Sequence, residues 1–360
     1  MSWDHSFNQR RTSNMQRSIG KLAAIILVSA LGCDRPQEAP TPTAPAISAT
    51  IPASAAASAS AAAPAGPPAQ VRTQAPGFYR MMLGDFEITA LSDGTASLPM
   101  DKLLTHAKPG EVEALLGRTH QTSPLDVSIN AFLINTGSKL ILIDTGAGEV
   151  FGPKVGGKVP QSIRAAGYTP EQVDAVLVTH VHGDHSGGLV VAGKMIFPRA
   201  RVYMHKRDRE FWLSPTEAER ARSDEKQAFE QAHKVLDPYI AADKVSTFDD
   251  ATELFPGIKT IPSPGHTPGH TFYAVESKGQ KIVFWGDLVH VAEVQFADPA
   301  VTIQFDHVPD EAATQRAKIF ADAAKQGYLI GAPHISFPGL GRIYAEGSGY
   351  VWSPAPYSNP

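Results

Sequence analysis

One cysteine, Cys33, stands in the 360 residues. No disulfide can therefore form within the chain, and stability has to come from a packed core and any bound metal. Charge is also sparse: 19% of residues are charged, the formal net charge is -4, and no basic stripe or long charge run occurs. That removes the electrostatic basis for a nucleic-acid partner. Long apolar runs are missing too, since LAAIILVSALG (Leu22 to Gly32) is shorter than a membrane span needs. From about Pro76 to Pro360 no repeat of fixed short period appears. What is present is an ordinary globular composition, 42% hydrophobic, enough for a sizeable core.

The chain divides by composition into three parts. In residues 1–33, Arg10, Arg11, Arg17 and Lys21 precede the apolar segment Leu22 to Gly32, the layout of a secretory signal. The expected destination is the periplasm, either free or as a membrane-anchored lipoprotein facing it. ALGC (Ala30 to Cys33) resembles a bacterial lipoprotein processing site, which would leave Cys33 lipidated as a membrane tether. The alternative is cleavage by the ordinary signal peptidase. The Arg10–Arg11 pair lacks the hydrophobic residues that follow a twin-arginine signal. Residues 34–75 are dominated by Ala, Pro, Ser and Thr, with too few large apolar side chains to offset the entropy of ordering them, and are expected to be a disordered linker. Residues 76–360 read as one folded domain.

Within that domain short apolar runs predict strands at Phe86 to Ser92, Ala131 to Asn135, Leu140 to Asp144, Ala175 to Thr179, Arg201 to Met204, Phe272 to Val275 and Lys281 to Trp285. Helical patterns cover Pro215 to Leu236 and Asp310 to Gln326, the latter stopped by Gly327, with Pro170 to Val173 as a short turn. Strands alternating with helices in both halves predict a layered α/β fold with sheets inside and helices outside.

Directly after one predicted strand comes THVHGDHSGG, Thr179 to Gly188, with three histidines and one aspartate in six residues. Imidazole and carboxylate are natural ligands of zinc and similar divalent ions, and crowding them without a metal would bury polar groups lacking partners. Other candidates also lie just beyond strand-like runs: His266 in PGHTPGH (Pro264 to His270), Asp287 after Gly286, and His334 in APHISFPG (Ala332 to Gly339). Loops at one edge of the sheets would bring them together.

Taken in order, H-x-H-x-D-H, His266, Asp287 and His334, with the DTG element Asp144 to Gly146, resemble the metallo-β-lactamase fold superfamily. LGDFEITALSDGT, TPGHTPGH, GDLVHVAEVQFADP and HISFPG look like its methyl parathion hydrolase branch, which includes organophosphate triesterases and aryl-lactone hydrolases. The resemblance implies an αββα sandwich with the metal site at one edge of the sheets, two divalent metal ions (most often Zn2+), and a homodimer. It places His180, His182 and His266 on one ion, Asp184, His185 and His334 on the other, and Asp287 between them. A hydroxide bridging the ions would be the nucleophile, with Asp184 and Asp287 as the catalytic carboxylates and Asp184 also guiding a proton to the leaving group.

The remaining candidates concern the substrate. Phe151, Trp212, Phe229 and Phe305 fall where this branch lines its pocket, and would favour a flat apolar aryl ester or aryl lactone. His290, three residues past Asp287, is expected at the pocket or its rim, better suited to hydrogen-bonding an ester or lactone than to a fully apolar phosphotriester. His270 is expected to support the ligands without touching the metal. His205, His233 and His307 are expected on the surface. The alternative substrate is an organophosphate triester. The alternative from another class is an iron-dependent oxidoreductase of the same fold, which His182 disfavours because di-iron flavoproteins commonly carry Glu there. A β-lactamase is disfavoured by the ligand pattern, and a non-catalytic metal-binding protein by the complete ligand set.

Overall fold

The computed structural model describes residues 70–152, 154–222 and 225–358. The expected signal segment, Cys33 and nearly all of the expected linker lie outside these residues. Residues 70–77 carry no regular structure, and the first strand begins at Phe78.

The apolar runs become strands because both faces of each sheet are covered. One seven-stranded sheet runs in the spatial order Phe78–Leu83, Phe86–Leu98, Leu125–Asn135, Leu140–Ile143, Ala175–Leu177, Arg201–His205, Val245–Phe248. Its first four strands pair antiparallel and the last four parallel. The second sheet, also of seven strands, runs Glu253–Phe255, Ile258–Pro262, Thr271–Ser277, Gln280–Phe284, Leu329–Gly331, Leu340–Glu346, Gly349–Pro354. Only its Gln280–Phe284 and Leu329–Gly331 pair is parallel.

Period-two alternation sorts the side chains between layers. Phe132, Ile134, Ile141, Ile143 and Leu177 of the first sheet meet Tyr273, Val275, Ile282 and Phe284 of the second in a shared core, with the rings of Phe132 and Phe284 4.8 Å apart. The intervening residues Leu133, Leu142, Val176 and Val202 face outward beneath the helix Lys226–Ala241. On the far side, Phe272, Val283, Trp285 and Ile330 lie under Phe320 of the helix Pro309–Gln326. That helix opens with Pro309 at its start and Asp310 and Glu311 in its first turn, and ends at Gly327 in the left-handed conformation, as the sequence pattern requires. The order is therefore helix, sheet, sheet, helix: the expected αββα sandwich.

Two expectations about elements change. The single helix predicted over Pro215 to Leu236 is two, Pro215–Arg220 and Lys226–Ala241. Ser214 caps the first, accepting from the Glu217 N–H, but Ala221 is already extended. Between Ala221 and Ala228 the sequence has no apolar side chain to bury, so a continuous helix there would gain nothing from packing. His205 is also not a surface residue. It is buried at the junction of strand Arg201–His205 and helix Lys206–Trp212, where Nδ1 accepts from the Arg207 N–H and Nε2 donates to the Asp249 carbonyl. His233 is exposed, beside Asp237. Among the described residues no helix is long and apolar enough to cross a membrane.

Candidate metal centre

Each candidate ligand sits just past a strand end, on the same edge of the two sheets. His180 and His182 follow Ala175–Leu177, and Asp184 and His185 lie in the one-turn helix Gly183–Ser186. His266 follows Ile258–Pro262, Asp287 follows Gln280–Phe284, and His334 follows Leu329–Gly331. Close backbone approach makes this convergence possible. A Cβ at Gly286, which has φ +52°, would stand 2.5 Å from His270 Nε2, and one at Gly188 would stand 2.0 Å from the Thr145 carbonyl oxygen. Only glycine fits at either place.

The candidates form overlapping groups whose ligand atoms lie within 4.8 Å of one another: His180, His182, His266 and Asp287; Asp184, His185 and His334; and Asp287, His290 and His334. In the first group Nδ1 of His182 is 3.0 Å from Nε2 of His180 and 3.1 Å from Nε2 of His266. Asp287 faces both sides. Its Oδ2 is 3.2 Å from His266 Nε2 and 3.6 Å from His180 Nε2, while its Oδ1 is 2.9 Å from His185 Nε2 and 3.1 Å from His334 Nε2. Asp184 Oδ2 is 3.6 Å from His185 Nε2 and 3.4 Å from His334 Nε2.

The opposite edge of most imidazoles is committed to the protein, which fixes the tautomer. His185 Nδ1–H donates to Asp144 Oδ2 (2.9 Å), His266 Nδ1–H to Asp306 Oδ1 (2.8 Å), and His334 Nδ1–H to the Ser128 carbonyl (2.9 Å). His180 Nδ1–H donates to Thr179 Oγ1 (3.1 Å), whose own hydroxyl donates to Asp144 Oδ2 (2.8 Å). Asp144 thus serves two candidate ligands, and it does so from a positive φ of 57°, a strained backbone of the kind kept at functional sites. His270 uses both nitrogens on the protein, Nδ1–H donating to the Ser263 carbonyl and Nε2 accepting from the Asp287 N–H. It holds the Asp287 loop and has no nitrogen left for an ion.

These residues fit a divalent cation on chemical grounds. His185 Nε2 and Asp287 Oδ1 are buried, lie 2.9 Å apart, and yet make no hydrogen bond. Buried polar atoms are rarely left so. Burial holds the His180 and His182 imidazoles well below the usual histidine range, in the neutral form that ligates metals. At His266 burial acts in the same direction, but hydrogen bonds to the Asp287 and Asp306 carboxylates outweigh it and raise the ring to about 9. Protons and a metal ion therefore compete for the same atoms, and binding the metal would release protons.

Beside the cluster opens a cavity of about 510 Å³ with a largely apolar lining, of the size and character of small-molecule sites. Phe151, Trp212, Phe229, His290 and Phe305 all line it, together with His182, Asp184, His266, Asp287 and His334. Phe151 and Phe305 are half exposed, while Trp212 and Phe229 are buried and double as core, packing on each other with ring centres 4.8 Å apart. Trp212 also meets the edge of the His182 ring. His290 is buried, its Nε2 3.1 Å from Asp287 Oδ2, its ring stacked on His334 and its Nδ1 without a partner. Phe211, Gln304 and His307 line the cavity as well. His307 is exposed, but to this cavity, with its ring 4.8 Å from that of Phe211.

Comparison with known proteins agrees with the geometry. The sequence profile described as Metallo-beta-lactamase superfamily matches residues 125–330. Among solved structures, hydrolase AbOPH of the beta lactamase superfamily is 38% identical with a TM-score of 0.76, covering 80% of this chain and all of that one. AidC, a dizinc quorum-quenching lactonase solved with a product, is 26% identical with a TM-score of 0.73, covering 79% and 99%. Among curated proteins, the Beta-lactamase-like protein 2 homolog of Caenorhabditis elegans is 28% identical over 192 residues, 52% of this chain and 54% of that one, so the chain spans about half the length of that relative. The chain belongs to the metallo-β-lactamase superfamily.

Proposed function

We propose that the protein is a dinuclear metal-dependent hydrolase, most often loaded with zinc, that cleaves an aryl lactone or aryl carboxylic ester. The observation that carries this reading is Asp287. One of its oxygens lies among His180, His182 and His266, and the other lies beside His185 and His334. Those two sets, the second completed by Asp184, would each hold one ion, and a carboxylate can span two cations where a neutral imidazole cannot. When bound, the two ions would supply Lewis acidity toward the substrate oxygen and lower the pKa of water from about 15.7 to about 7. The hydrolase AbOPH and the dizinc lactonase AidC support the assignment to hydrolysis and to zinc.

The chain's own residues would do the rest. The apolar walls from Phe151, Trp212, Phe229 and Phe305 would seat a flat aryl group and exclude water from the reacting centre. His290, held below the usual histidine range by burial, would donate to the substrate's ester or lactone oxygen in the tautomer that carries its proton on the unpartnered Nδ1, which favours a carboxylic substrate over an apolar phosphotriester. Asp184, partly open to the cavity, is placed to pass a proton to the departing alcohol. Export, lipidation at Cys33 and a homodimer remain part of the proposal on sequence grounds alone.

The test is hydrolysis of dihydrocoumarin and methyl paraoxon by zinc-loaded protein and by its Asp287→Ala variant. Faster turnover of the lactone, and none in the variant, is the expected result. Preference for the triester would overturn the pocket argument, and iron co-purifying with neither substrate cleaved would transfer the protein to redox chemistry.

A further inference from the structure

The strap from Ile303 to Val308 has two faces with different duties. Phe305 and His307 are exposed toward the substrate cavity, while Asp306 between them turns inward and is buried. Asp306 Oδ1 accepts from His266 Nδ1–H at 2.8 Å, and its Oδ2 accepts from the Ile303 N–H at 3.1 Å. Two backbone bonds fasten the same strap to the same loop, His307 N–H to the His266 carbonyl (3.0 Å) and Val308 N–H to the Gly265 carbonyl (2.8 Å).

Behind this stands a fully buried cation. Arg316, on the helix Pro309–Gln326, donates Nε–H to the Leu288 carbonyl (2.7 Å) and Nη1–H to the carbonyls of Val301 (2.7 Å) and Pro299 (3.1 Å). Its Nη2 lies 3.9 Å from Asp306 Oδ2. One guanidinium therefore reaches both the residue next to Asp287 and the carboxylate that holds His266. A buried charge is costly unless paired, and Asp306 is the carboxylate that pairs it.

We infer that Asp306, backed by Arg316, is a positioning residue that holds His266 with Nε2 turned to the metal cluster and locks the Phe305–His307 wall of the substrate cavity to that same ligand. The inference rests on the dinuclear reading above. Its consequence is a coupling: a change at Asp306 moves metal affinity and substrate fit together, whereas a change at Phe305 moves substrate fit alone.

The experiment is zinc stoichiometry and affinity, by elemental analysis and competition with a chelator, on full-length wild type, Asp306→Ala, Asp306→Asn, Arg316→Lys and Phe305→Ala, with KM for an aryl ester measured alongside. Asp306→Ala is expected to bind one of its two zinc ions 10- to 100-fold more weakly, the usual cost of removing such a partner, and to show a raised KM. Asp306→Asn keeps an acceptor oxygen and is expected between the two, and Phe305→Ala is expected to raise KM with zinc affinity unchanged. Wild-type zinc affinity in Asp306→Ala overturns the inference. Should that variant fail to fold, wild-type affinity at both sites in Asp306→Asn and Arg316→Lys overturns it equally. A wild-type protein that binds no second zinc would refute the dinuclear reading instead.

Discussion

Asp208 offers the sharpest test of how the centre is held. It touches no candidate ligand side chain, is completely buried, and accepts three hydrogen bonds: Val181 N–H at 3.1 Å, Thr267 Oγ1–H at 3.0 Å and Gly269 N–H at 2.6 Å. Val181 lies between His180 and His182, and Thr267 follows His266, so one carboxylate pins both ligand loops to the helix Lys206–Trp212. Truncation leaves those three buried donors without an acceptor, at about 1–3 kcal/mol each. Burial raises the carboxyl to about 6 even with the three bonds made, so removing a charge that the site disfavours at neutral pH offsets part of that cost. The net expectation for Asp208→Ala is a loss of about 2–6 kcal/mol, larger than most single substitutions cause. Asp208→Asn, which keeps one acceptor oxygen, is expected to lose about half as much. Urea unfolding of the zinc-loaded and the chelated protein reads both, and zinc affinity is expected to fall in the same order. A loss below about 1 kcal/mol in Asp208→Ala, with wild-type zinc content, would refute the idea that Asp208 joins the two loops.

Three further outcomes are expected. Phe229→Ala, which opens a cavity in both core and pocket, is expected to destabilise by about 3–5 kcal/mol, while Phe305→Ala, half exposed, is expected to stay within about 0.5 kcal/mol of wild type; thermal unfolding beside KM for an aryl ester separates the two. Asp93 sits at the register shift between Ser92 and Gly94 and accepts from the N–H groups of Ala147, Gly157 and Val159; burial raises its carboxyl above 3.8 despite those bonds. A raised acid contributes stability that is complete below the unfolded value and lost as pH rises through the folded one, so the advantage of wild type over Asp93→Asn is expected to shrink as pH climbs above about 4, and an advantage that grows in urea titrations would count against it. Chelation is expected to lower the unfolding temperature and restored zinc to recover it, because ions bound only by the folded chain stabilise by mass action; identical melting curves with and without metal would contradict the ligand assignment.

What the sequence made legible followed from local pattern. Strands buried on both faces read as continuous apolar runs, so Leu140–Ile143 and Ala175–Leu177 were predicted within two residues of their ends, and the candidate ligands that cluster past strand ends read as a motif. Short strands with half-exposed faces, such as Phe78–Leu83 and Gly349–Pro354, gave no such run. The helix break after Arg220 was legible in principle, since the charged stretch Arg220 to Gln227 has only Ala221 among its apolar types and no stripe to bury; the propensity of its residues masked it.

The supporting residues were illegible for a different reason. Asp208 lies in KRDREFW and Asp306 in QFDHV, surroundings that look like any solvated face, and their partners are far along the chain, Thr267 for one and His266 for the other. Ligand identity is written locally because one turn must deliver several donors to one point. Ligand orientation is written in tertiary contacts, because the group that fixes an imidazole must approach its far edge from another element of the fold. His205 shows the same rule from the other side: it has the residue type of a ligand but is consumed by the Arg207 N–H and the Asp249 carbonyl at a helix start, and no spacing rule along the chain could separate it from His266. Under the proposed function the cavity wall would inherit this property, since the strap that carries Phe305 and His307 is fastened to the His266 loop through Asp306 and two backbone bonds, and specificity would then be set by contacts behind the candidate ligands as much as by the aromatic residues that face the cavity.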